Sequence, residues 1–206
     1  MSRQNACTEI SVVILAGGKS TRFGRDKTTV RLDGETLLER AVRRLSPIAK
    51  EAIVVRGQGQ PSAGIPGVLE VEDIYPGKGP LGGIYSGLLA ASSFHSLAVA
   101  CDMPFLDLRL IDYMCSLAPG YDVVMPKLGQ NTEALHSIYS KDCIPHIEAL
   151  VLRDRVRVIE FLNAVKVRFV RDEEVDRYDP ERLSFFNINT EADLKRAREL
   201  VQRGCG

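Results

Sequence analysis

A chain of 206 residues, of which 45% are hydrophobic and 26% charged, is long enough for one domain with a substantial core. Its 27 Lys and Arg residues balance its 27 Asp and Glu residues, so the formal net charge of +0 argues against a general nucleic-acid binder. The apolar runs are too short to cross a bilayer, and the N-terminus lacks a signal-peptide core.

We therefore expect a single domain over residues 1–206 that works in the cytoplasm, without a nucleic-acid or membrane partner. The five cysteines are scattered and show no C-x-x-C spacing, so we expect neither a zinc site nor a disulfide framework. Cys101 lies in an apolar run and is expected to be a small buried side chain.

The first element is the apolar run 10–15, whose β-branched residues predict a strand buried on both faces. Two glycines, Gly17 and Gly18, follow it and leave main-chain N–H groups uncovered. Four cations then come within a few residues: Lys19, Arg22, Arg25 and Lys27. A turn of exposed amides surrounded by cations is typical of a polyphosphate site, although a solvated charged loop is the alternative.

The spacing of this loop excludes two common phosphate motifs. Gly17, Gly18 and Gly24 do not fit the dinucleotide pattern G-x-G-x-x-G. A Walker loop requires Gly before Lys-Ser/Thr, whereas Asp26 precedes Lys27 here.

An alternation of strands and helices follows the loop. It predicts an amphipathic helix over 35–46, buried strands over 52–55 and 68–71, a helix over 84–93 and a strand over 96–101. This rhythm indicates an α/β protein with a parallel sheet and right-handed crossovers.

A glycine-rich stretch, residues 75–83, follows Asp73 at the end of the third predicted strand. Its glycine density predicts a loop that lets a flat ring lie against bare main chain, and the alternative is an ordinary loop leading into the helix.

Asp102 follows the strand over 96–101, and Pro104 prevents that strand from continuing. Ligands of open α/β sheets bind at the carboxyl ends of the strands, where a carboxylate oxygen is a suitable Mg²⁺ ligand. The alternative is that Asp102 caps the following turn, while Asp107 caps a helix that runs to Ala118.

The second half predicts strands over 121–125, 134–139 and 165–170, the last at a sheet edge, and helices over 141–152 and 156–163. Residues 172–180 read as a charged loop, and Thr190 with Asp193 predicts the capping box of a final helix. Asn187 and Asn189 would share one face of an extended segment, or simply end a polar strand.

The loop sequence L-A-G-G-x-S-x-R-F-G-x-D-K, residues 15–27, resembles the signature of nucleotidyltransferases that use a nucleoside triphosphate. Its Gly-Gly form most resembles the MobA family, the molybdenum cofactor guanylyltransferases. The segments G-P-L-G-G at 79–83, C-D-M-P-F at 101–105 and F-F-N-I-N-T at 185–190 match as well. Many members carry Glu-Pro-Leu where this chain has Glu133-Ala134-Leu135.

The resemblance implies a nucleotidyltransferase fold, a Rossmann-like three-layer α/β/α arrangement with a mostly parallel central sheet. It implies that residues of about 8–105 bind the nucleotide and those of about 106–200 contribute to the acceptor site. The implied reaction transfers GMP from GTP to molybdopterin-bound molybdenum cofactor, with Mg²⁺, and gives the guanine dinucleotide cofactor and pyrophosphate. Molybdoenzymes or their chaperones would receive the product.

The resemblance also assigns residues. The catalytic residues would be Arg22, Lys27 and Asp102, with Asp102 as the metal ligand. The GTP-binding residues would be Leu15, Ala16, Gly17, Gly18, Lys27, Asp73, Gly79, Leu81 and Asp102. The acceptor-binding residues would be Glu133, Asn187 and Asn189.

The acceptor of this reaction would be a phosphate monoester, which is largely dianionic at pH 7 and needs no catalytic base. The three histidines, His95, His136 and His146, are accordingly expected to be structural or exposed. A cytidylyltransferase or sugar-phosphate nucleotidyltransferase of the same fold and a non-catalytic GTP-binding module are the alternatives. The sequence leaves open the oligomeric state, the choice between molybdenum and tungsten, and the role of the charged cluster 153–157.

Overall fold

The computed structural model describes residues 6–17 and 30–204. Within those ranges the strands are β1 (Ser11–Leu15), β2 (Arg31–Leu32), β3 (Glu35–Thr36), β4 (Glu51–Arg56), β5 (Leu69–Glu72), β6 (His95–Ala100), β7 (Val123–Leu128), β8 (Asn131–Thr132), β9 (His136–Ser140) and β10 (Val167–Arg171). The α-helices of the same residues are α1 (Leu37–Leu45), α2 (Gly79–Ala90), α3 (Leu108–Leu117), α4 (Ile144–Val151), α5 (Asp172–Val175) and α6 (Glu191–Gln202).

The central sheet has the strand order β10-β7-β9-β6-β1-β4-β5, with β8 paired to the end of β7. β1 lies parallel between β4 and β6, whereas β9 runs antiparallel to both β6 and β7. The predicted mostly parallel sheet is therefore confirmed, and β10 is an edge strand as expected.

Alternate residues of β1 face opposite layers, which explains its unbroken apolar sequence. Val12 and Ile14 join one buried cluster with residues of α1 and α3, and Val13 and Leu15 join another with residues of α2 and α4. Helices therefore cover both faces of the sheet, which confirms the predicted three-layer arrangement. A third, smaller cluster packs α6 against Val30 and the β2–β3 hairpin.

The predicted boundaries of helix α2 are wrong. The helix begins at Gly79 and ends at Ala90, so the segment 79–83 is its first turn rather than a loop before it. Pro80 is tolerated there because the first N–H groups of a helix have no intrahelical partner. A Cβ on Gly83 would lie 2.6 Å from Cδ2 of Leu15, and one on Gly87 would lie 2.2 Å from Cγ1 of Val13. These glycines bring the helix close to the sheet.

Other boundaries differ for local reasons. Helix α1 begins at Leu37, two residues later than predicted, because Glu35 and Thr36 pair with β2. The predicted helix over 156–163 consists of two short 3₁₀ turns, Val158–Glu160 and Leu162–Ala164. The segment predicted as a charged loop contains α5.

The structure contains the helix cap given as an alternative for Asp107 and confirms the predicted capping box of the last helix. Asp107 is the N-cap of α3 and accepts hydrogen bonds from Arg109 N and Leu110 N. Thr190 and Asp193 form the capping box of α6.

The expectation of no disulfide framework is wrong for one pair, since Cys7 and Cys115 form a disulfide bond with an S–S distance of 2.10 Å. They lie 108 residues apart, and the fold joins them by packing the 3₁₀ turn Ala6–Glu9 against α3. Cys101 is a buried thiol, as expected. In the described part of the chain no helix has the length and apolar character needed to cross a membrane.

Candidate functional site

The carboxyl ends of the central strands meet at one edge of the sheet. Ala16 N donates to Val55 O at the end of β4 (2.9 Å), and Cys101 N donates to Leu15 O at the end of β1 (3.1 Å). The residues after β1 and β6 are thus hydrogen-bonded to the ends of neighbouring strands, which places the start of the predicted phosphate loop beside the segment of Asp102.

The described part of that loop is held by close main-chain contact. Leu15 and Ala16 are buried, so only their main-chain groups can face a ligand. Gly17 is exposed, but a Cβ on it would lie 2.8 Å from Gly57 N. The predicted site residues Gly18, Arg22 and Lys27 lie outside the described residues.

Asp73 lies at the entrance of α2 and not at an open surface. Its carboxylate accepts from Tyr75 N (3.0 Å) and lies 3.3 Å from the Ser86 hydroxyl. A Cβ on Gly82 would approach Oδ1 of Asp73 to 2.8 Å, so this carboxylate packs directly on the helix. Desolvation by burial raises the pKa of Asp73 and outweighs these hydrogen bonds.

The first turn of α2 offers main-chain donors at the same edge. Leu81 is 0% exposed, so this predicted nucleotide contact belongs to the core. Gly79 is exposed and has a φ of +59°. N–H groups in a first helical turn lack intrahelical partners and carry the positive end of the helix dipole, which suits an anion or a polar ring edge.

Asp102 follows β6 and is 7% exposed. Its main-chain oxygen accepts a hydrogen bond from Ile188 N (3.0 Å), which joins the segment 185–190 to the end of β6. In the described part of the chain no three His, Cys, Asp or Glu side chains are grouped so that they could hold a metal ion.

A buried arginine of α1 is hydrogen-bonded to the segment that follows β6. Arg40 is 5% exposed, pairs with Glu35 (2.9 Å) and donates from Nε to Pro104 O (3.1 Å). Helical periodicity did not reveal it, because its burial depends on the loop after β6. The contact ties α1, which follows the phosphate loop in sequence, to the segment that carries Asp102.

The two predicted asparagines flank a buried residue. Ile188 is 0% exposed, whereas Asn187 and Asn189 are half-buried, as expected if both asparagines face away from the core. Nδ2 of Asn187 donates to Phe185 O (3.0 Å), and Asn189 N donates to the Asp193 carboxylate (3.0 Å). Through Ile188 the structure brings this pair next to Asp102.

Glu133 lies in the connection between β8 and β9, at the same edge of the sheet. Its N–H donates to Pro126 O (3.0 Å), and its carbonyl accepts from the Ser137 hydroxyl (2.5 Å). The side chain is half-buried, and desolvation raises the pKa of its carboxyl group. A carboxylate held in this way is costly unless a ligand or solvent supplies a donor.

His136, the first residue of β9, is 0% exposed, and its ring centroid lies 5.0 Å from that of Phe185. Burial lowers the pKa of His136 to about 4, so the imidazole is neutral at pH 7. This agrees with a structural histidine. The ring supports the segment that continues to Asn187.

The chain matches the family model described as the MobA-like NTP transferase domain over residues 12–174. It is 36% identical over 190 residues to the probable molybdenum cofactor guanylyltransferase of Pelotomaculum thermopropionicum, covering 92% of each chain. It is 30% identical over 197 residues to the molybdenum cofactor guanylyltransferase of Desulfosudis oleivorans, covering 95% of this chain and 97% of that one.

Among solved structures, the chain is similar to molybdopterin-guanine dinucleotide biosynthesis protein A from Archaeoglobus fulgidus, with a TM-score of 0.83 and 28% identity. The match covers 94% of this chain and 100% of the other. The similarity therefore extends over most of the candidate site. It includes the segments around β1 and α2 and those around Asp102 and Glu133.

Proposed function

Because this chain belongs to the MobA-like NTP transferase family, we propose that it transfers GMP from GTP to the molybdopterin-bound molybdenum cofactor. A phosphate oxygen of the acceptor attacks the α-phosphorus of GTP, and the bond to the β-phosphate breaks to release pyrophosphate. The products are the molybdopterin guanine dinucleotide cofactor and pyrophosphate. The observation that carries this proposal is the meeting of the phosphate-loop start, Asp102 and the Asn187–Asn189 segment at one sheet edge.

The nucleotide would lie along the main chain of residues 15–18 and against the first turn of α2. Gly79 would face the nucleotide, with Leu81 buried behind it, and Asp73 would act at the base or sugar end of the nucleotide. Arg22 and Lys27 would balance the charge of the triphosphate and of the leaving pyrophosphate. Catalysis would then consist mainly of positioning and charge stabilisation.

Asp102 is a suitable protein ligand for Mg²⁺. Its carboxylate offers a hard oxygen at the sheet edge where the phosphates would lie, and Mg²⁺ in nucleotide sites takes one or two carboxylates together with substrate phosphates. The ion, when bound, would neutralise charge that develops on the α-phosphate. This chain's part is to hold Asp102 in place through the main-chain bonds of its segment.

The acceptor would lie on the other side of Asp102. Asn187 and Asn189 present half-buried amide side chains there, and Glu133 presents a half-buried carboxylate that can accept hydrogen bonds from N–H groups of a pterin. The acceptor phosphate needs no general base at pH 7, which is consistent with the neutral, buried His136.

The test is pyrophosphate release with GTP, CTP, ATP and UTP, with and without a molybdopterin acceptor and Mg²⁺. We expect release only with GTP and the acceptor together. Release with CTP would identify a cytidylyltransferase, and release with a sugar phosphate as acceptor would identify a different nucleotidyltransferase. GTP binding without release under any of these conditions would identify a non-catalytic module.

The recipient of the product, a molybdoenzyme or its chaperone, and the cytoplasmic location stay predictions. Disulfide bonds form mainly in oxidising compartments. Alkylation of thiols in freshly lysed cells, followed by mass spectrometry of the peptides with Cys7 and Cys115, checks the location and the disulfide together.

A further inference from the structure

The turn 57–60, which follows β4, lies against the first glycine of the phosphate loop. A Cβ on Gly17 would lie 2.8 Å from Gly57 N and 3.2 Å from Gly57 Cα, so the two main chains are in direct contact. The position of Gly57 therefore sets the position of Gly17, the last described residue at the start of the predicted phosphate loop.

Gln60 closes this turn at both ends. Its side-chain Oε1 accepts a hydrogen bond from Gly57 N (2.8 Å), and its own N–H donates to Gly57 O (3.1 Å). Gln60 is half-buried, whereas Gln58 of the same turn is exposed. The side-chain bond is the part of this arrangement that a substitution can remove without changing the main chain.

Arg56 anchors the turn to the sheet. Its Nε lies 2.9 Å from the Glu70 carboxylate, and the two side chains are only 16% and 13% exposed. Nη1 of Arg56 donates to Gln60 O, and the main-chain carbonyl of Arg56 accepts from Asp73 N (2.8 Å). The same residue thus fixes the turn and the start of the segment that carries Asp73.

We propose that Gln60 is a positioning residue for the nucleotide. By holding the Gly57 N–H it fixes the surface against which Gly17 rests, and Gly17 is itself a predicted GTP contact. Gln60 is not among the predicted nucleotide contacts, so its effect would be indirect. The inference rests on the proposed function, because it assumes that the loop after Gly17 binds a nucleoside triphosphate.

The experiment compares the wild-type chain with Gln60→Ala, Gln60→Glu and the matched control Gln58→Ala. For each, the Kd of GTP with Mg²⁺, kcat, the KM of GTP and of the acceptor, the melting temperature and the amide hydrogen exchange of the turn are measured. Loss of one hydrogen bond predicts a five- to tenfold rise, roughly, in the Kd and KM of GTP for Gln60→Ala. We expect kcat, the acceptor KM and the melting temperature to stay unchanged, and the Gly57 amide to exchange faster.

Gln60→Glu keeps an oxygen that accepts from Gly57 N, so it should restore slow exchange and most of the GTP affinity, and Gln58→Ala should behave as wild type. The inference is overturned if Gln60→Ala binds GTP as tightly as wild type. It is also overturned if both KM values, kcat and the melting temperature change together, because the turn then serves only the fold. A wild-type chain that does not bind GTP overturns the proposed function as well.

Discussion

The two sides of the candidate site, one for the nucleotide and one for the acceptor, differ in the kind of residue that forms them. On the nucleotide side most of the predicted contacts that the structure describes are glycines or buried apolar residues, such as Gly17, Leu15 and Leu81, whose side chains offer a ligand no polar group. On the acceptor side the candidates are half-buried polar side chains, Glu133 and Asn187 among them. Substitutions on the nucleotide side should therefore disturb packing and binding together, while those on the acceptor side should separate function from stability.

Asp102 lies between the two sides, and its replacement should have the largest effect. Asp102→Asn keeps the shape of the side chain and the main-chain bond to Ile188 N, but it removes the charge that Mg²⁺ requires. We expect GMP transfer to fall by about a hundredfold or more, since charge stabilisation by a metal ion contributes several kcal/mol. Steady-state rates across a Mg²⁺ titration, with circular dichroism as a check of the fold, measure this.

The exposed Asp142 is the matched control, and Asp142→Asn should leave both the rate and its Mg²⁺ dependence unchanged. If Asp102→Asn retained the Mg²⁺ dependence of the wild type, Asp102 would not be the metal ligand. Another residue between the nucleotide and acceptor sides would then have to hold the metal ion.

On the acceptor side, His136 is a buried residue that should contribute to the stability of the fold and not to binding. Its replacement therefore tests whether stability and function can be separated there. Burial lowers its pKa to about 4 from 6.5, and Asp107 is the charged group whose field acts in the opposite direction. Below pH 6.5 the unfolded chain takes up a proton that the folded chain does not accept until about pH 4. Stability should thus be complete above pH 6.5 and fall by on the order of 3 kcal/mol as the pH drops to about 4.

Urea denaturation between pH 7.5 and 4 measures this loss in the wild type and in His136→Asn. The variant should lose the part of the acid dependence that lies between pH 6.5 and 4. His146→Asn, a half-buried histidine of α4, should keep it. A wild-type slope that persists in His136→Asn would assign the acid sensitivity to other groups.

Gly87→Ala tests the claim that packing and binding change together on the nucleotide side. The new methyl group would lie 2.2 Å from Cγ1 of Val13, so α2 must move away from β1. Overpacking typically costs about 1–3 kcal/mol, and better helix propensity returns up to about 1 kcal/mol of it. The melting temperature should fall and the KM of GTP should rise in the same variant.

Leu89→Ala, at an exposed position of the same helix, should change neither quantity. A lower melting temperature in Gly87→Ala with an unchanged KM for GTP would show that the first turn of α2 does not contribute to nucleotide binding. The distinction between the two sides would then fail.

The sequence predicted those features that depend on residues close together along the chain. The alternation of strands and helices, the capping box of Thr190 and Asp193, and the placement of Asp102 after a buried strand are local, and the structure agrees with each. The family motifs also predicted residues on both sides of the candidate site, and the comparisons confirm the family.

The features that the sequence did not reveal depend on contacts between distant segments. In the sequence, Gly83 and Gly87 fall in a predicted loop and a predicted helix. In the structure both lie in α2, and their small size is required by Leu15 and Val13 of β1. The burial of Arg40 depends in the same way on Pro104, 64 residues further along the chain. Spacing cannot show such contacts. The roles of Arg22 and Lys27 stay predictions, because both residues lie outside the described ranges.

Glu133→Gln should give the smallest effect and the cleanest separation of function from stability. The amide keeps the shape of the side chain and one accepting oxygen, but it removes the charge that would strengthen a hydrogen bond from the acceptor. Loss of about 1 kcal/mol predicts a rise of roughly fivefold in the acceptor KM, with the KM of GTP unchanged. Because burial raises the pKa of Glu133, the carboxylate disfavours the folded state at neutral pH, and the variant should melt at the same or a higher temperature.

Glu181→Gln, an exposed control, should alter none of these values. Equal changes in both KM values would mean that Glu133 acts on the whole site, and the acceptor side could then no longer be described by separate side-chain contacts.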